Sequence, residues 1–187
     1  MYGSYGVLSH GWIVSQESLH SGIHMKERSV LVEVQVINVA IDIKSKMPLI
    51  VLQEKQGRKT LPIWVGLFEA QSIALAMENI QPPRPLTHDL TRTLIEHLDG
   101  HLQRVIINDL KDNTFYAIIV IDRNEQSIQV DSRPSDAIAL ALRLDAPIYI
   151  EETVLDKAGK GPNPINDKEL EQFREKLKDL KPEDFGL

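Results

Sequence analysis

The chain has 187 residues, a formal net charge of −6 and an apolar fraction of 42%, which are values typical of a globular protein with one domain. The absence of cysteine excludes disulfide bonds, thiolate nucleophiles and cysteine-ligated zinc. The acidic balance counts against a protein that binds nucleic acid mainly by neutralising phosphates. No apolar run reaches the roughly 18 residues of a membrane span, so we expect no membrane partner.

Residues 1–24 are rich in Gly, Ser, Tyr and His and lack the basic segment that precedes the apolar part of a secretory signal. We interpret them as an appended or disordered extension. The folded domain is expected to cover residues 25–156. Residues 157–187 are expected to form a Gly/Pro/Asn linker and an amphipathic helix over residues 167–180, which would dock on the domain or on a second subunit in a homo-oligomer.

The first half of the domain predicts three strands and then a helix. The predicted strands cover residues 30–42, 47–53 and 60–65, and the helix covers residues 67–78. In the first strand the apolar alternation changes phase near Val36 or Ile37, which predicts a β-bulge. A second helix is predicted after the prolines at 82, 83 and 85, with Thr87 as its N-cap and with Leu90, Leu94 and Leu98 as its apolar face.

The second half predicts the same order of elements. Its strands are predicted over residues 103–109, 114–121 and 126–131, and its helix over residues 134–144, followed by a short strand (147–150) and the start of a helix (151–156). Residues 63–65, 73–76 and 82 match residues 128–130, 138–141 and 147 at one shared offset of 65. We therefore expect an α+β fold of mixed sheets with packed helices, built by internal duplication of a βββα unit with halves at about 30–100 and 101–156.

Polar residues are densest at the junction between the last strand of the second half and its helix. Asp131, Ser132, Arg133, Ser135 and Asp136 fall within six residues. The start of a helix binds anions through its free N–H groups, and an arginine can bind phosphate through two hydrogen bonds. The alternative is a capped helix start, with a serine as N-cap, proline in the first turn and Arg133 paired with Asp131 or Asp136.

Two further groups of residues could carry chemistry. Neighbours on a helix do not face each other, so His88 and Asp89 are expected to serve different partners. They could be a base and its orienter or two metal ligands, or Asp89 could oppose the helix dipole while His88 is a surface or interface side chain. Glu69 stands in an otherwise apolar helix start and needs a partner there, for which Arg84 or His88 is the expected choice. A structural ion pair and a functional site are both open for Glu69.

Four segments carry a resemblance to a known family: LPIWVG (61–66) with Glu69 and Ala70, RPLTHDL (84–90), LKDNTFYA (110–117) and DSRPSDAIALA (131–141). With these segments the chain resembles the bifunctional nuclease domain family over about residues 30–154. The resemblance implies a compact α+β domain in a bacterial cytoplasm or a similar compartment, and DNA and RNA cleavage of the kind reported for some members. It does not supply an agreed set of catalytic residues.

These observations lead to one main hypothesis, a phosphodiesterase for DNA or RNA assisted by a divalent cation. Glu69, His88, Asp89 and Asp136 are its candidate catalytic residues. The metal would use Glu69, Asp131 and Asp136. The substrate would be bound by Arg84, Thr87, Arg133 and Ser135.

Two rival hypotheses stay open. In the first, the protein is a non-catalytic binding or assembly module, in which the same residues form an ion-pair network between the halves. In the second, the start of the helix after Asp131 senses a small anion. A catalytic site requires Glu69, His88 and Asp136 to converge in contact with solvent.

Overall fold

A computed structural model describes residues 30–42, 45–57 and 59–158. The predicted N-terminal extension and the predicted C-terminal linker and helix lie outside the described residues. The division of the chain into three segments therefore stays a prediction.

Seven strands and four helices follow one another in this part of the chain. They are β1 (Leu31–Ile41), β2 (Pro48–Glu54), β3 (Thr60–Trp64), α1 (Leu67–Met77), α2 (Thr87–His97), β4 (His101–Lys111), β5 (Thr114–Arg123), β6 (Gln126–Ser132), α3 (Pro134–Arg143), β7 (Ile148–Glu151) and α4 (Glu152–Ala158). Each corresponds to a predicted element, and the predicted ends differ by a few residues at most, which is the usual uncertainty of element boundaries. None of these helices is both long and apolar enough to cross a membrane.

The strands form one sheet in the order β3-β2-β1-β7-β4-β5-β6. Strands β4 and β7 pair in parallel, whereas the other neighbours pair antiparallel. The sheet is therefore mixed, and the predicted α+β class is confirmed. The pairing of β1 with β2 shifts register between Val36 and Asn38, which confirms the predicted bulge.

The sheet joins two similar arrangements of strands. Strands β1, β2 and β3 form an antiparallel meander that leads into α1, and β4, β5 and β6 form another that leads into α3. Strand β7 lies between them and pairs with β1 and β4. Residues that match at the offset of 65 are buried alike. Ile73 and Ile138 are fully buried, and Leu75 and Leu140 are 6% and 3% exposed. The order strand, strand, strand, helix is as predicted, while duplication as its origin stays a prediction.

Helices α1 and α3 pack against each other and against the sheet. Three alanines of α3, Ala137, Ala139 and Ala141, are completely buried, and Ala70 of α1 is almost so. Small side chains at a helix contact let the two backbones approach closely. The close approach brings Glu69 of α1 next to Arg133, which immediately precedes α3.

Helix α2 differs from α1 and α3 because none of its residues is buried. The predicted leucine face exists, but Leu90, Leu94 and Leu98 are each more than half exposed. The side of α2 that meets α3 instead carries polar residues, His88 and Asp89. The expected N-cap was wrong by one residue, because Leu86 is the N-cap and Thr87 is the first helical residue.

Candidate active site

The junctions β3–α1 and β6–α3 are joined by an ion pair. Arg133 has an extended backbone at the N-cap of α3, and Pro134 begins the helix, where its ring fixes a helical φ and its missing N–H is not needed. From this position the Nη1 atom of Arg133 lies 2.8 Å from Oε1 of Glu69. The expected partner of Glu69, Arg84 or His88, was therefore wrong, because Arg133 takes that place.

Arg133 also forms a two-bond contact with Asp136 in the first turn of α3. Its Nε donates to Oδ2 over 2.6 Å, and its Nη2 donates to Oδ1 over 2.9 Å. Burial raises the pKa of the Asp136 carboxyl, but the hydrogen bonds from Arg133 and His88 outweigh this effect and hold the pKa below its usual range. Asp136 therefore stays ionised at neutral pH, as the N-terminus of a helix also favours.

His88 links α2 to both of the other helices. Its Nε2 lies 3.0 Å from Oδ1 of Asp136, and its Nδ1 lies 2.8 Å from Oγ of Ser72 on α1. The imidazole is largely buried, with 13% of the side chain exposed. Asp136, His88 and Ser72 thus form a continuous row of hydrogen bonds across three helices.

Arg143, in the last turn of α3, extends this row into the interior. Its Nη2 donates to Oγ of Ser72 over 3.0 Å and its Nε donates to Oδ1 of Asp89 over 2.7 Å, while its side chain is only 7% exposed. The other oxygen of Asp89 accepts the backbone N–H of Leu86 over 2.8 Å, which satisfies a free donor at the start of α2. Burial raises the pKa of Asp89, but the bonds from Arg143 and Leu86 more than offset this, so the pKa is lowered overall.

We refer to this row of seven side chains as the polar chain: Glu69, Arg133, Asp136, His88, Ser72, Arg143 and Asp89. Its solvent-facing end consists of Glu69, Arg133 and Asp136, where the Arg133 side chain is 64% exposed. Its buried end is named for Ser72 and Arg143, which are 4% and 7% exposed, and also contains their neighbour Asp89, whose side chain is 20% exposed. His88 connects the two ends.

The polar chain contains most of the residues expected from the sequence. Glu69 and Asp136 both contact Arg133, and His88 contacts Asp136. His88 and Asp89 have different partners, which confirms that expectation. Each carboxylate is also already paired with an arginine, which is what the assembly hypothesis requires.

Three other candidate residues lie elsewhere. Arg84 is exposed in the connection between α1 and α2, and its side chain makes no hydrogen bond or ion pair with any residue that the structure describes. Thr87 is exposed, and its carbonyl accepts the hydroxyl of Thr91. Ser135 lies in the first turn of α3 with 6% exposure, and its hydroxyl makes no hydrogen bond with the described residues.

The expected metal ligands do not form a metal site. Asp131 pairs with Ile118 on β5, whose neighbours Ala117 and Ile119 face the helices, so strand alternation directs Asp131 to the opposite face of the sheet. Arg133 lies between the other two carboxylates, Glu69 and Asp136. Across the described ranges, no three His, Asp or Glu side chains are grouped so that they could hold a metal ion. The residues present therefore do not fit the expected divalent cation.

Sequence reasoning missed Ser72 and Arg143. A signal for Ser72 was present, because it is the one hydroxyl within the apolar run from Ala70 to Ala76, and at the offset of 65 its counterpart is Ala137. Arg143 resembles an ordinary cation in the last turn of a helix, where the dipole favours it. Its partners are 54 and 71 residues away in the sequence, so no local pattern points to them.

A family profile described as the bifunctional nuclease domain matches residues 50–162, which include every residue of the polar chain. An uncharacterised protein of Mycobacterium tuberculosis is 43% identical over 162 residues, covering 82% of this chain and 97% of the relative.

Plant proteins show a more distant similarity. Bifunctional nuclease 1 of Oryza sativa subsp. japonica is 32% identical over 111 residues, which cover 56% of this chain and 33% of the rice protein. Bifunctional nuclease 1 of Arabidopsis thaliana is 26% identical over 109 residues, which cover 56% of this chain and 34% of the plant protein. The similarity thus spans about one third of each plant protein.

Proposed function

Because the chain belongs to the bifunctional nuclease domain family, we propose that it hydrolyses phosphodiester bonds of DNA or RNA at the solvent-facing end of the polar chain. The observation that carries this proposal is the state of Arg133, which two carboxylates hold in place while most of its side chain stays exposed. A guanidinium has five N–H donors, and three are used here, so two have no partner among the described residues. Arg133 can therefore bind a phosphate without first leaving its place.

Glu69 is the candidate general base in this proposal. Its Oε1 meets Arg133, and its Oε2 has no hydrogen-bond partner in the part of the chain that the structure describes. A water molecule that attacks the phosphorus of a diester bound to Arg133 would give its proton to Glu69. The bond to the leaving oxygen would break, and that oxygen would keep the electron pair and take a proton from solvent. Asp136 has a lowered pKa, so it is a weak base, and its task is to hold Arg133 and His88.

An exposed aromatic ring adjoins this end. Phe68 directly precedes Glu69 on α1 and is 80% exposed. Aromatic side chains bind single-stranded nucleic acid by stacking on its bases, with little sequence preference. The net charge of −6 makes such contacts more important, because general phosphate neutralisation is weak.

The test is a nuclease assay of highly purified protein on single-stranded DNA, duplex DNA and RNA, with Glu69→Gln and Asp136→Asn beside the wild type. We expect Glu69→Gln to lose about 100-fold or more in rate, the usual contribution of a positioned acid or base. Asp136→Asn should also lose activity, because Arg133 and His88 lose the charge that holds them in place. Glu96→Gln is the matched control, since Glu96 is an exposed acid on α2 outside the polar chain. Activity that is unchanged in both test variants would assign the cleavage to a contaminant or to another site.

The same assay is run in Mg²⁺ and in EDTA. Retained activity in EDTA would support Arg133 as the group that neutralises the phosphate charge. Loss of activity in EDTA would place a metal on the substrate phosphates or on residues outside the polar chain, since the described residues do not supply a metal site.

The assembly module is the second candidate, and one observation favours it. Glu69, Asp136 and Asp89 are each paired with an arginine, and the network ties α1 to α2 and α3. If the purified protein cleaves no nucleic acid and the Glu69 and Asp136 variants change only stability, this second function is the better one. The cytoplasmic location and the homo-oligomer expected from the sequence stay predictions.

A further inference from the structure

Two constraints act on the proton of His88, and they come from opposite sides of its ring. Arginine has no acceptor, so in the contact between Arg143 and Ser72 the guanidinium donates and the Ser72 oxygen accepts. The single proton of the Ser72 hydroxyl is then free to be donated over 2.8 Å to Nδ1 of His88. If the Ser72 oxygen instead accepted a second bond from an Nδ1–H group, its own proton would have no acceptor among the described residues. The donated bond satisfies that proton, and it leaves Nδ1 without a proton.

The other side of the ring leads to the same result. Asp136 accepts two hydrogen bonds from Arg133, and as an ionised carboxylate it has no proton to donate. The 3.0 Å contact with His88 therefore requires a proton on Nε2. A neutral imidazole has one donor and one acceptor nitrogen, and both sides assign the donor to Nε2.

We propose that Ser72 and Arg143 are positioning residues that hold the His88 imidazole in the tautomer with its proton on Nε2, so that it serves the site as a hydrogen-bond donor and not as a general base. The proposal rests on the proposed function for its catalytic part only. In the site, the Nε2–H group orients the Asp136 carboxylate, which in turn holds Arg133 for the phosphate. A general base would need a free nitrogen facing the substrate, and both nitrogens are already engaged.

The row Ser72, His88, Asp136 has the residue types of a nucleophilic triad, but its geometry argues for positioning. A nucleophilic serine must reach the substrate, whereas Ser72 is 4% exposed. Its oxygen also accepts a bond from Arg143, a buried cation that keeps the hydroxyl directed at His88. Ser72 therefore acts through His88.

The first measurement is the ring nitrogen spectrum of His88 in the full chain, recorded by long-range ¹H–¹⁵N correlation well above the ordinary histidine pKa of about 6.5. The chain has six histidines, so the signal is assigned by its loss in His88→Asn. We expect a neutral ring protonated on Nε2, with the Nδ1 resonance displaced by an accepted hydrogen bond. A ring protonated on Nδ1 overturns the proposal, and this measurement needs no variant at Ser72.

The second measurement uses Ser72→Ala and Ser72→Thr. We expect the Nδ1 displacement to disappear in the alanine variant and to persist in the threonine variant, which keeps the hydroxyl. Ser135→Ala is the control for the spectrum, because it removes a hydroxyl of α3 that makes no hydrogen bond with the described residues and lies outside the row Ser72, His88, Asp136. An unchanged Nδ1 resonance in Ser72→Ala contradicts the proposal.

Kinetics then separate this inference from the proposed function. Ser72→Ala should lower kcat roughly tenfold, as loss of an outer hydrogen-bond partner commonly does, with KM for nucleic acid unchanged. If the wild type has the expected spectrum but no nuclease activity, the positioning role stands and the proposed function fails. If the wild type is active and its spectrum shows the other tautomer, only the positioning role fails.

Discussion

The two ends of the polar chain use the same chemistry in different surroundings. At the solvent-facing end, Arg133, the residue just before α3, pairs with Asp136 in the first turn of α3. At the buried end, Arg143 of α3 pairs with Asp89 in the first turn of α2. The Arg133 side chain is 64% exposed, whereas that of Arg143 is 7% exposed. The type of ion pair therefore does not determine its role. The exposed guanidinium of Arg133 is available to a ligand, whereas the buried guanidinium of Arg143 must be satisfied by partners within the protein.

The energetic consequences of the two pairs should differ accordingly. An exposed pair gains little, because water solvates both charges once they separate. Removing one partner of a buried pair leaves an unsolvated charge, which is costly. The solvent-facing end is therefore suited to ligand exchange, and the buried end is suited to holding α1, α2 and α3 together.

The largest expected effect comes from removing each arginine in turn. Arg143→Met should lower the free energy of unfolding by about 3 kcal/mol, because Asp89 and Ser72 lose a buried donor. Arg133→Met should lower it by less than about 1 kcal/mol, as for an exposed pair. Urea denaturation of both variants measures the difference. Equal losses in the two variants would contradict the division of the polar chain into two ends.

Much of the fold could be predicted because its signals are local. The alternation of apolar residues defined the strands. The turn at residues 112–113, where both backbones have positive φ, has an Asp-Asn sequence that is typical of such turns. The exposure of α2 could not be predicted, because leucines four residues apart, such as Leu90 and Leu94, give the same pattern whether or not another element covers them. Only the neighbouring helices decide that outcome.

The contacts of the site were likewise predictable only where they join residues close in the sequence. Arg133 and Asp136 are three residues apart, so their pairing was one of the expected alternatives. The contacts of His88 with Asp136 and of Arg143 with Ser72 join residues 48 and 71 positions apart, and they exist because α3 packs against both α2 and α1. Those distances are set by packing, which no local pattern reports.

A smaller effect should appear when acid titrates the buried end. The pKa of Asp89 is lowered in the folded protein, so its pairing stabilises the fold above the unfolded pKa of about 4 and is lost as the pH falls through the lower folded value. Asp89→Asn should cost roughly 1–2 kcal/mol at neutral pH, as for a hydrogen bond to a charged group. The difference from the wild type should be constant from neutral pH down to about 5 and should narrow below about 4.

Denaturation at a series of pH values measures that difference. Asp99→Asn is the matched control, since Asp99 is an exposed aspartate just after α2. Because other carboxylates titrate in both the variant and the wild type, only the difference between the two curves reports on Asp89. A difference that widens on acidification would mean that burial, and not the bonds from Arg143 and Leu86, dominates at this carboxylate.

The smallest effect on stability should come from Gly66→Ala at the solvent-facing end. Gly66 has φ of −70°, which alanine adopts easily, so the backbone opposes the change by no more than about 0.5 kcal/mol. A β-carbon at this position would lie 2.1 Å from Oε2 of Glu69, so the carboxylate must move. The end of a flexible side chain moves at little cost, but a displaced Glu69 carboxylate would lose its contact with Arg133.

Under the proposed function, Glu69 activates the attacking water from its place beside Arg133. Gly66→Ala should therefore stay as stable as the wild type and lose activity. Glu69→Gln should reduce the rate far less in the Gly66→Ala protein than in the wild type. Independent, multiplicative rate losses would mean that Glu69 still reaches Arg133 in the variant, and the glycine would then have no part in placing the carboxylate.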